Sequence, residues 1–152
     1  MNLREWQKPH ANALLNSLRT RGVALDASDT GTGKTYIAAW VAKEYGHAVF
    51  VVCPKAVQPK WRAVLADAGV SPVEVMNVEK LKRSKYLVKR GNTWTWMLSI
   101  GTLVIFDEAH NFGGINTGNA QIMYATRAAK LPVLALSATI AYSPLRFRAL
   151  GY

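Results

Sequence analysis

Short apolar runs alternate with segments of helical periodicity along this sequence, and no other feature restricts the fold as much. The runs are apolar at nearly every position, which is typical of strands that are buried on both faces of a parallel sheet. Helices that connect successive parallel strands cover the two faces of such a sheet. The predicted strands are residues 23–27, 48–53, 73–76, 103–106 and 133–136. We therefore expect an α/β fold of three layers, with a mostly parallel sheet between two layers of helices.

Segments with helical periodicity precede and separate these strands. The first is predicted to end before Gly22, and its apolar stripe at spacings of three and four residues is formed by Leu3, Trp6, His10 and Leu14. The other predicted helices are residues 36–45, 61–68 and 117–130. Residues 85–98 combine β-favouring side chains with a turn at 90–92, and we interpret them as a β-hairpin insert.

Length and composition favour one domain over residues 1–152. A chain of about 150 residues buries roughly 70% of its unfolded surface, so a large apolar core is feasible. The single cysteine, Cys53, can form neither an intramolecular disulfide nor a zinc cluster. The apolar runs are far shorter than the ~20 residues that cross a membrane, and the charged N-terminal residues do not resemble a secretory signal. We expect no membrane partner and a cytoplasmic location, or the host cytoplasm if a phage encodes the protein.

The charge balance points to a polyanionic partner. There are 19 Lys and Arg residues against 9 Asp and Glu residues, for a net charge of +10. Basic side chains release condensed counterions when they neutralise phosphates, so nucleic acid is the natural candidate. A solvated basic face is the competing interpretation. The densest basic run is formed by Lys80, Lys82, Arg83, Lys85, Lys89 and Arg90.

The most informative local motif lies between the first predicted strand and the helix after it. Residues 28–35 read Ser-Asp-Thr-Gly-Thr-Gly-Lys-Thr and end as a Walker A phosphate loop does, with Ser28 where Gly or Ala is usual. In such a loop backbone amides wrap phosphates, the lysine reaches the β- and γ-phosphates, and the last hydroxyl ligates Mg²⁺. A glycine turn without a ligand is the alternative. The motif favours nucleotide binding by Thr30, Gly31, Thr32, Gly33, Lys34 and Thr35.

Two adjacent acids close the fourth predicted strand. Asp107 and Glu108 directly follow residues 103–106, and ligands of open α/β sheets bind beyond the carboxyl ends of the strands. Asp107, with Thr35, is therefore the candidate Mg²⁺ ligand. Glu108 is the candidate base that orients and deprotonates water, so Glu108 and Lys34 are the expected catalytic residues. A helix N-cap followed by an acid in the first turn is the alternative.

Three motifs, in order, resemble motifs I, II and III of superfamily 2 helicases and translocases. They are residues 31–35 (Gly-Thr-Gly-Lys-Thr), 107–110 (Asp-Glu-Ala-His) and 137–139 (Ser-Ala-Thr). Residues 3–7 are similar to the segment before motif I in Snf2-like DNA translocases and phage helicases of the DEAH type. Cys53-Pro54 with Trp61 is similar to their motif Ia. The resemblance covers residues 3–142, nearly the whole chain.

The resemblance implies a RecA-like P-loop NTPase fold, with ATP as substrate and Mg²⁺ as cofactor. It gives Gln7 a contact with the adenine edge, and it gives His110, Ser137 and Thr139 a role in coupling nucleotide state to a nucleic-acid surface. In that family a second RecA-like domain supplies arginines to the ATP site, and we expect it to be absent from this chain. An arginine at the γ-phosphate is worth about 10³ to 10⁵ in turnover. We therefore expect the isolated chain to hydrolyse ATP weakly, and we expect a second domain or a partner chain to complete the ATP site.

The same resemblance suggests where nucleic acid binds, with DNA favoured over RNA through the likeness to Snf2-like proteins. Trp94 and Trp96 either stack on bases or pack the hairpin against the sheet. Two other functions remain open: another P-loop ATPase, and a nonenzymatic basic regulator that keeps the fold. Turnover distinguishes the regulator, and stimulation by nucleic acid distinguishes the other ATPase. The candidate phosphate contacts are Lys55 and Lys60, which flank motif Ia, and Lys82 and Arg83.

Overall fold

The computed structural model describes residues 1–28, 33–112 and 118–137. The strands of the described part are β1 (Val23–Asp26), β2 (Val49–Val52), β3 (Glu74–Met76), β4 (Leu87–Arg90), β5 (Thr93–Trp96), β6 (Leu103–Phe106) and β7 (Val133–Leu136). Five of them form a parallel sheet in the order β1-β7-β6-β2-β3, and β4 and β5 form a separate antiparallel hairpin. The helices are α1 (Lys8–Arg21), α2 (Lys34–Tyr45), α3 (Gln58–Asp67), α4 (Val78–Leu81) and α5 (Gly118–Ala128).

Alternate residues of each strand face two apolar clusters, one on each side of the sheet. Val51 and Ile105 belong to the cluster that α1, α2 and α3 cover. Phe50 and Val104 belong to the cluster that α5 and the β4-β5 hairpin cover. All four residues of β2 and all four of β6 are buried, as a sheet covered on both faces requires. The expected α/β fold with a mostly parallel central sheet is confirmed.

The N-terminal helix is shorter than its apolar periodicity predicts. Residues 1–7 lie outside α1, which starts at Lys8 with Pro9 in its first turn, where a missing amide hydrogen and a fixed φ are tolerated. The predicted stripe is wrong at Trp6, whose side chain is exposed. The end of the helix is as predicted: Gly22, at φ 72°, donates its amide hydrogen to the Leu18 carbonyl.

The β4-β5 hairpin is anchored to the sheet by aromatic side chains. Trp96 is buried and contacts the Phe50 ring edge to face, at 5.5 Å between centroids. Its indole nitrogen donates a 2.8 Å hydrogen bond to Thr126 Oγ1 of α5. Trp94 is half-buried, with Lys89 Nζ 5.6 Å from its ring centroid. Trp96 therefore packs the hairpin against the domain and offers no stacking surface.

Among the residues that the structure describes, no helix is both long enough and apolar enough to span a membrane.

Candidate functional site

The predicted motif segments meet at one edge of the sheet. β1, β7 and β6 are neighbours and parallel, so their carboxyl ends lie side by side. The Ser137 amide, just after β7, donates to the Asp26 carbonyl at the end of β1, at 2.9 Å. The Asp107 amide, just after β6, donates to the Val52 carbonyl of β2, also at 2.9 Å. The strand before the phosphate loop, the acid pair after β6 and Ser137 after β7 thus converge where open α/β sheets bind their ligands.

The end of the predicted phosphate loop forms the start of α2. Gly33 is the N-cap at φ 75°, a left-handed conformation that favours glycine, and its carbonyl accepts the amide hydrogen of Ile37. Lys34 and Thr35 follow in the first turn and are partly exposed. The amides of a helix N-terminus attract anions, so this turn suits a phosphate. The other predicted nucleotide-binding residues, Thr30, Gly31 and Thr32, lie outside the described residues, as does Thr139.

Gln7 lies beside the glycine that starts α2. Its side chain is 7% exposed, and Oε1 accepts a 2.9 Å hydrogen bond from the Arg4 amide. The amide nitrogen Nε2 approaches Gly33 so closely that a Cβ on that glycine would lie 2.8 Å away. An open depression next to this contact is bordered by Trp6 and Tyr36. The structure therefore brings together Gln7 and the phosphate-loop end, which are distant in sequence.

Asp26, a buried acid at the end of β1, is not among the site residues predicted from the sequence. Asp26 is fully buried, and its Oδ1 accepts hydrogen bonds from the amide and the hydroxyl of Ser28. His10 Nε2 lies 3.0 Å from the same oxygen. An acid that closes an apolar strand was available as a signal, because the same pattern identifies Asp107. His10, predicted in the apolar stripe of α1, instead faces a carboxylate at the entrance to the phosphate loop.

The Asp107 carboxylate is held by two donors. Oδ1 accepts the amide hydrogen of Glu108 at 2.9 Å, and Oδ2 accepts the indole hydrogen of Trp61 at 2.9 Å. Burial, and then the nearby Asp107 charge, raise the pKa of the Cys53 thiol to about 12, against a smaller opposing effect of Arg62. Cys53 is therefore a protonated thiol at neutral pH and not a nucleophile.

Glu108 lies in an unusual backbone conformation and begins a polar chain. Its φ of 54° is uncommon for a residue other than glycine, and such strain tends to occur at functional sites. Glu108 Oε2 is 3.2 Å from His110 Nε2, and His110 Nδ1 is 3.3 Å from Ser137 Oγ. One imidazole thus bridges the carboxyl ends of β6 and β7, linking the acid motif to the residue after β7.

The donors at this edge suit a magnesium ion in their chemistry. Mg²⁺ binds oxygen and commonly uses one or two protein ligands together with phosphate and water oxygens. The Thr35 hydroxyl and the Asp107 carboxylate are oxygen groups of this kind. Residues 1–28, 33–112 and 118–137 contain no group of three or more His, Cys, Asp or Glu side chains that could hold a metal by themselves.

The predicted nucleic-acid contacts lie on a turn and a helix that follow β2 and in the segment after α4. Lys55 is exposed in a 3₁₀ turn (Lys55–Val57) after β2, and Lys60 is exposed on α3, with Nζ 5.9 Å from the Tyr36 ring centroid. Lys82, partly exposed, and Arg83, exposed, follow α4. Between Lys55 and α4 a groove opens at the carboxyl ends of β2, β3 and β6. Its polar and apolar lining includes Pro54, Asn77, Val78, Asn111, Phe112 and Asn119.

Comparison with known proteins adds two findings. A family model described as the res subunit of type III restriction enzymes matches residues 1–142. A relative from Acanthamoeba polyphaga mimivirus, described as a "Putative ATP-dependent RNA helicase", is 33% identical over 162 residues. That alignment covers 91% of this chain and 30% of the viral protein, so the chain spans less than a third of that relative's length.

Proposed function

This chain belongs to the family of type III restriction enzyme res subunits, as a superfamily 2 helicase first RecA-like domain, and on that premise we propose that it couples Mg-ATP hydrolysis to movement on nucleic acid. Family membership and the viral relative both support an ATP-dependent motor domain of the helicase type. The proposal concerns what the residues at the sheet edge do. The proposal also includes a second RecA-like domain, in the same protein or in a partner chain. That domain would complete the ATP site that residues 1–152 form in part.

The nucleotide is proposed to lie across the start of α2. Thr30, Gly31, Thr32 and Gly33 would supply backbone amides to the phosphates, and Lys34 would reach the β- and γ-phosphates. Gln7 would read the adenine edge, and its packing against Gly33 supports this assignment because it puts the amide beside the loop. Thr35 and Asp107 would hold Mg²⁺, which neutralises phosphate charge when bound.

One observation carries the proposal: His110 contacts both Glu108 and Ser137. If Glu108 takes a proton from the attacking water, its carboxylate loses its charge, and the contact between Glu108 and His110 changes as a result. Ser137 then transmits the altered contact to the segment after β7, where Thr139 would continue it. A motor needs such a link between chemistry and a distant surface, whereas a simple nucleotide-binding module does not.

The hydrolysis step uses this chain's residues as follows. The water oxygen forms a bond to the γ-phosphorus, and the bond from that phosphorus to the bridging oxygen of ADP breaks. Glu108 accepts the water proton, and Lys34 stabilises the charge on the transferred phosphoryl group. The products are ADP and inorganic phosphate, with the proton on Glu108 released afterwards to solvent.

Contacts to the polymer are proposed at Lys55 and Lys60, which follow β2 in the chain, and at Lys82 and Arg83, which follow α4. Phosphate contacts fix position without reading sequence. The likeness to Snf2-like translocases favours DNA, while the viral relative is described as an RNA helicase. Both polymers therefore belong in the test.

Replacing Gly33 by Ala should reduce ATP affinity by about five- to tenfold, the worth of one hydrogen bond of roughly 1–1.5 kcal/mol. The added methyl group would meet Gln7 Nε2 at 2.8 Å and displace it. Gly46→Ala is the matched control, since Gly46 ends the same helix at φ 80° with nothing within 4 Å of the added carbon. Both variants should lose similar stability in urea unfolding. Equal ATP affinity in the two variants, measured by calorimetry, would exclude Gln7 from base recognition.

Nucleic-acid binding should weaken steeply between about 50 and 200 mM salt, since several neutralised phosphates release counterions. Each of Lys55→Ala and Arg83→Ala should reduce the slope of log affinity against log salt by about 1. Lys43→Ala, an exposed lysine at the far end of α2, should leave the slope unchanged. Fluorescence anisotropy with single- and double-stranded DNA and RNA measures this. An affinity independent of salt would rule out the proposed surface.

A further inference from the structure

We propose that Trp61 is a positioning residue for the magnesium ion, because its indole N–H fixes the orientation of the Asp107 carboxylate. This inference rests on the proposed function, in which Asp107 is a Mg²⁺ ligand. It adds a residue that touches neither nucleotide nor metal and acts through Asp107. The sequence resemblance places Trp61 in motif Ia but gives it no part in the ATP site.

The indole ring of Trp61 is held rigidly by packing. The side chain is 0% exposed and lies in the apolar cluster that α1, α2 and α3 form on one face of the sheet. An indole carries a single N–H donor and no acceptor. Because the ring cannot turn without disrupting the core, the direction of that donor is fixed. It points to Asp107 Oδ2 at 2.9 Å.

The second carboxylate oxygen is held by the backbone. Asp107 Oδ1 accepts the Glu108 amide hydrogen at 2.9 Å, in the turn that gives Glu108 its positive φ. Rotation of the carboxylate would break one or both of these hydrogen bonds. Each carboxylate oxygen has about two acceptor sites, so one site on each oxygen remains for a ligand. The two donors therefore select which lone pairs face a bound ion.

The contact joins two neighbouring strands. Trp61 lies on α3, which follows β2, while Asp107 follows β6, and β2 and β6 pair in parallel with Val52 opposite Phe106. Partners of metal ligands that orient them typically contribute 10- to 100-fold to metal affinity or activity. A loss of that size in Mg²⁺ affinity, without a loss in metal-free nucleotide affinity, distinguishes a residue that orients Asp107 from one that only fills the core.

The chain contains a matched control for a purely structural role. Trp96 is also buried, and it also donates its indole hydrogen to an oxygen, Thr126 Oγ1, at 2.8 Å. It belongs to the cluster on the other face of the sheet. Trp61→Phe and Trp96→Phe therefore remove the same group and similar volume from comparable surroundings. Only the first removes a hydrogen bond to Asp107.

The test measures ADP binding to the full 152-residue chain by calorimetry, in EDTA and across a Mg²⁺ titration. Trp61→Phe should leave the affinity in EDTA within about twofold of wild type and raise the Mg²⁺ concentration for half-saturation about 10- to 100-fold. Trp96→Phe should leave both quantities unchanged. In an Asp107→Asn background, Trp61→Phe should add no further loss, as coupled residues require.

Two outcomes overturn this inference alone: a wild-type Mg²⁺ requirement in Trp61→Phe, or equal shifts in Trp61→Phe and Trp96→Phe. Failure of the wild-type chain to bind ADP in any condition would instead overturn the proposed function, and this inference with it. If Trp61→Phe does not fold, the test instead follows the NMR resonance of the Trp61 indole N–H in the wild-type protein. That resonance should shift when Mg²⁺ is added to the ADP complex, and an unmoved resonance would overturn the inference.

Discussion

Glu108→Gln is expected to slow ATP hydrolysis by about 10²- to 10⁴-fold, the usual contribution of a positioned general base. The amide cannot accept the water proton, but it keeps the size of the side chain and its reach toward His110. Mg-ATP affinity should therefore stay within about twofold of wild type. Single-turnover hydrolysis, with ATP bound to excess protein, measures the chemical step directly.

Glu44→Gln is the control, since Glu44 is exposed near the end of α2, far from the sheet edge. It should hydrolyse ATP at the wild-type rate. A Glu108→Gln protein that does so as well would remove Glu108 from the chemistry. The chain from Glu108 through His110 to Ser137 would then need another explanation.

Lys34→Ala is expected to lower Mg-ATP affinity by about 10- to 100-fold. Lys34 is the first residue of α2, and its ammonium group is proposed to contact the β- and γ-phosphates. A hydrogen bond to a charged group is worth about 1.5–3 kcal/mol. The loss should be smaller for AMP, which has neither phosphate. Calorimetry with ATP, ADP and AMP gives the three affinities.

Lys43→Ala removes the same charge from the last turn of the same helix. It should bind all three nucleotides as wild type does, which separates a local phosphate contact from a change in net charge. Equal affinities for ATP in Lys34→Ala and in wild type would contradict the phosphate-loop assignment, whatever the control shows.

The sheet could be predicted closely from sequence because its strands are apolar at nearly every position. Residues 103–106 and 133–136 match β6 and β7 without adjustment, because a polar residue or proline stands at both ends of each apolar run. The start of α1 could not be predicted in this way. The spacing of Leu3 and Trp6 fits a helix, but Pro9 lacks the amide hydrogen that an earlier start would require, so the chain turns at residues 4–7 instead.

The candidate site shows the same division. Lys34, Asp107 and Glu108 can be identified from sequence because each sits at a strand or helix end with a chemical pattern around it. The residues that hold these side chains in position cannot be identified from sequence. Trp61 reads as an ordinary core residue of an amphipathic helix, and only the pairing of β2 with β6 brings its indole to Asp107.

His10 and Asp26 illustrate the remaining difficulty. The periodicity of α1 assigns His10 to the apolar face, which is correct as a direction, because that face packs against β1. The group opposite His10 is the buried Asp26 carboxylate. Periodicity gives the direction in which a helix residue faces, but it does not show which residue of a neighbouring strand lies opposite.

Mg-ATP binding and hydrolysis by the purified 152-residue chain, with and without DNA or RNA and beside Lys34→Ala, test the central claim most directly. The account predicts Mg²⁺-dependent binding that Lys34→Ala weakens by about 10- to 100-fold, with slow turnover that rises when a second RecA-like domain is supplied. A wild-type chain that binds no ATP, or binds it as well without Lys34, would contradict the claim that this sheet edge is the ATP site of a motor.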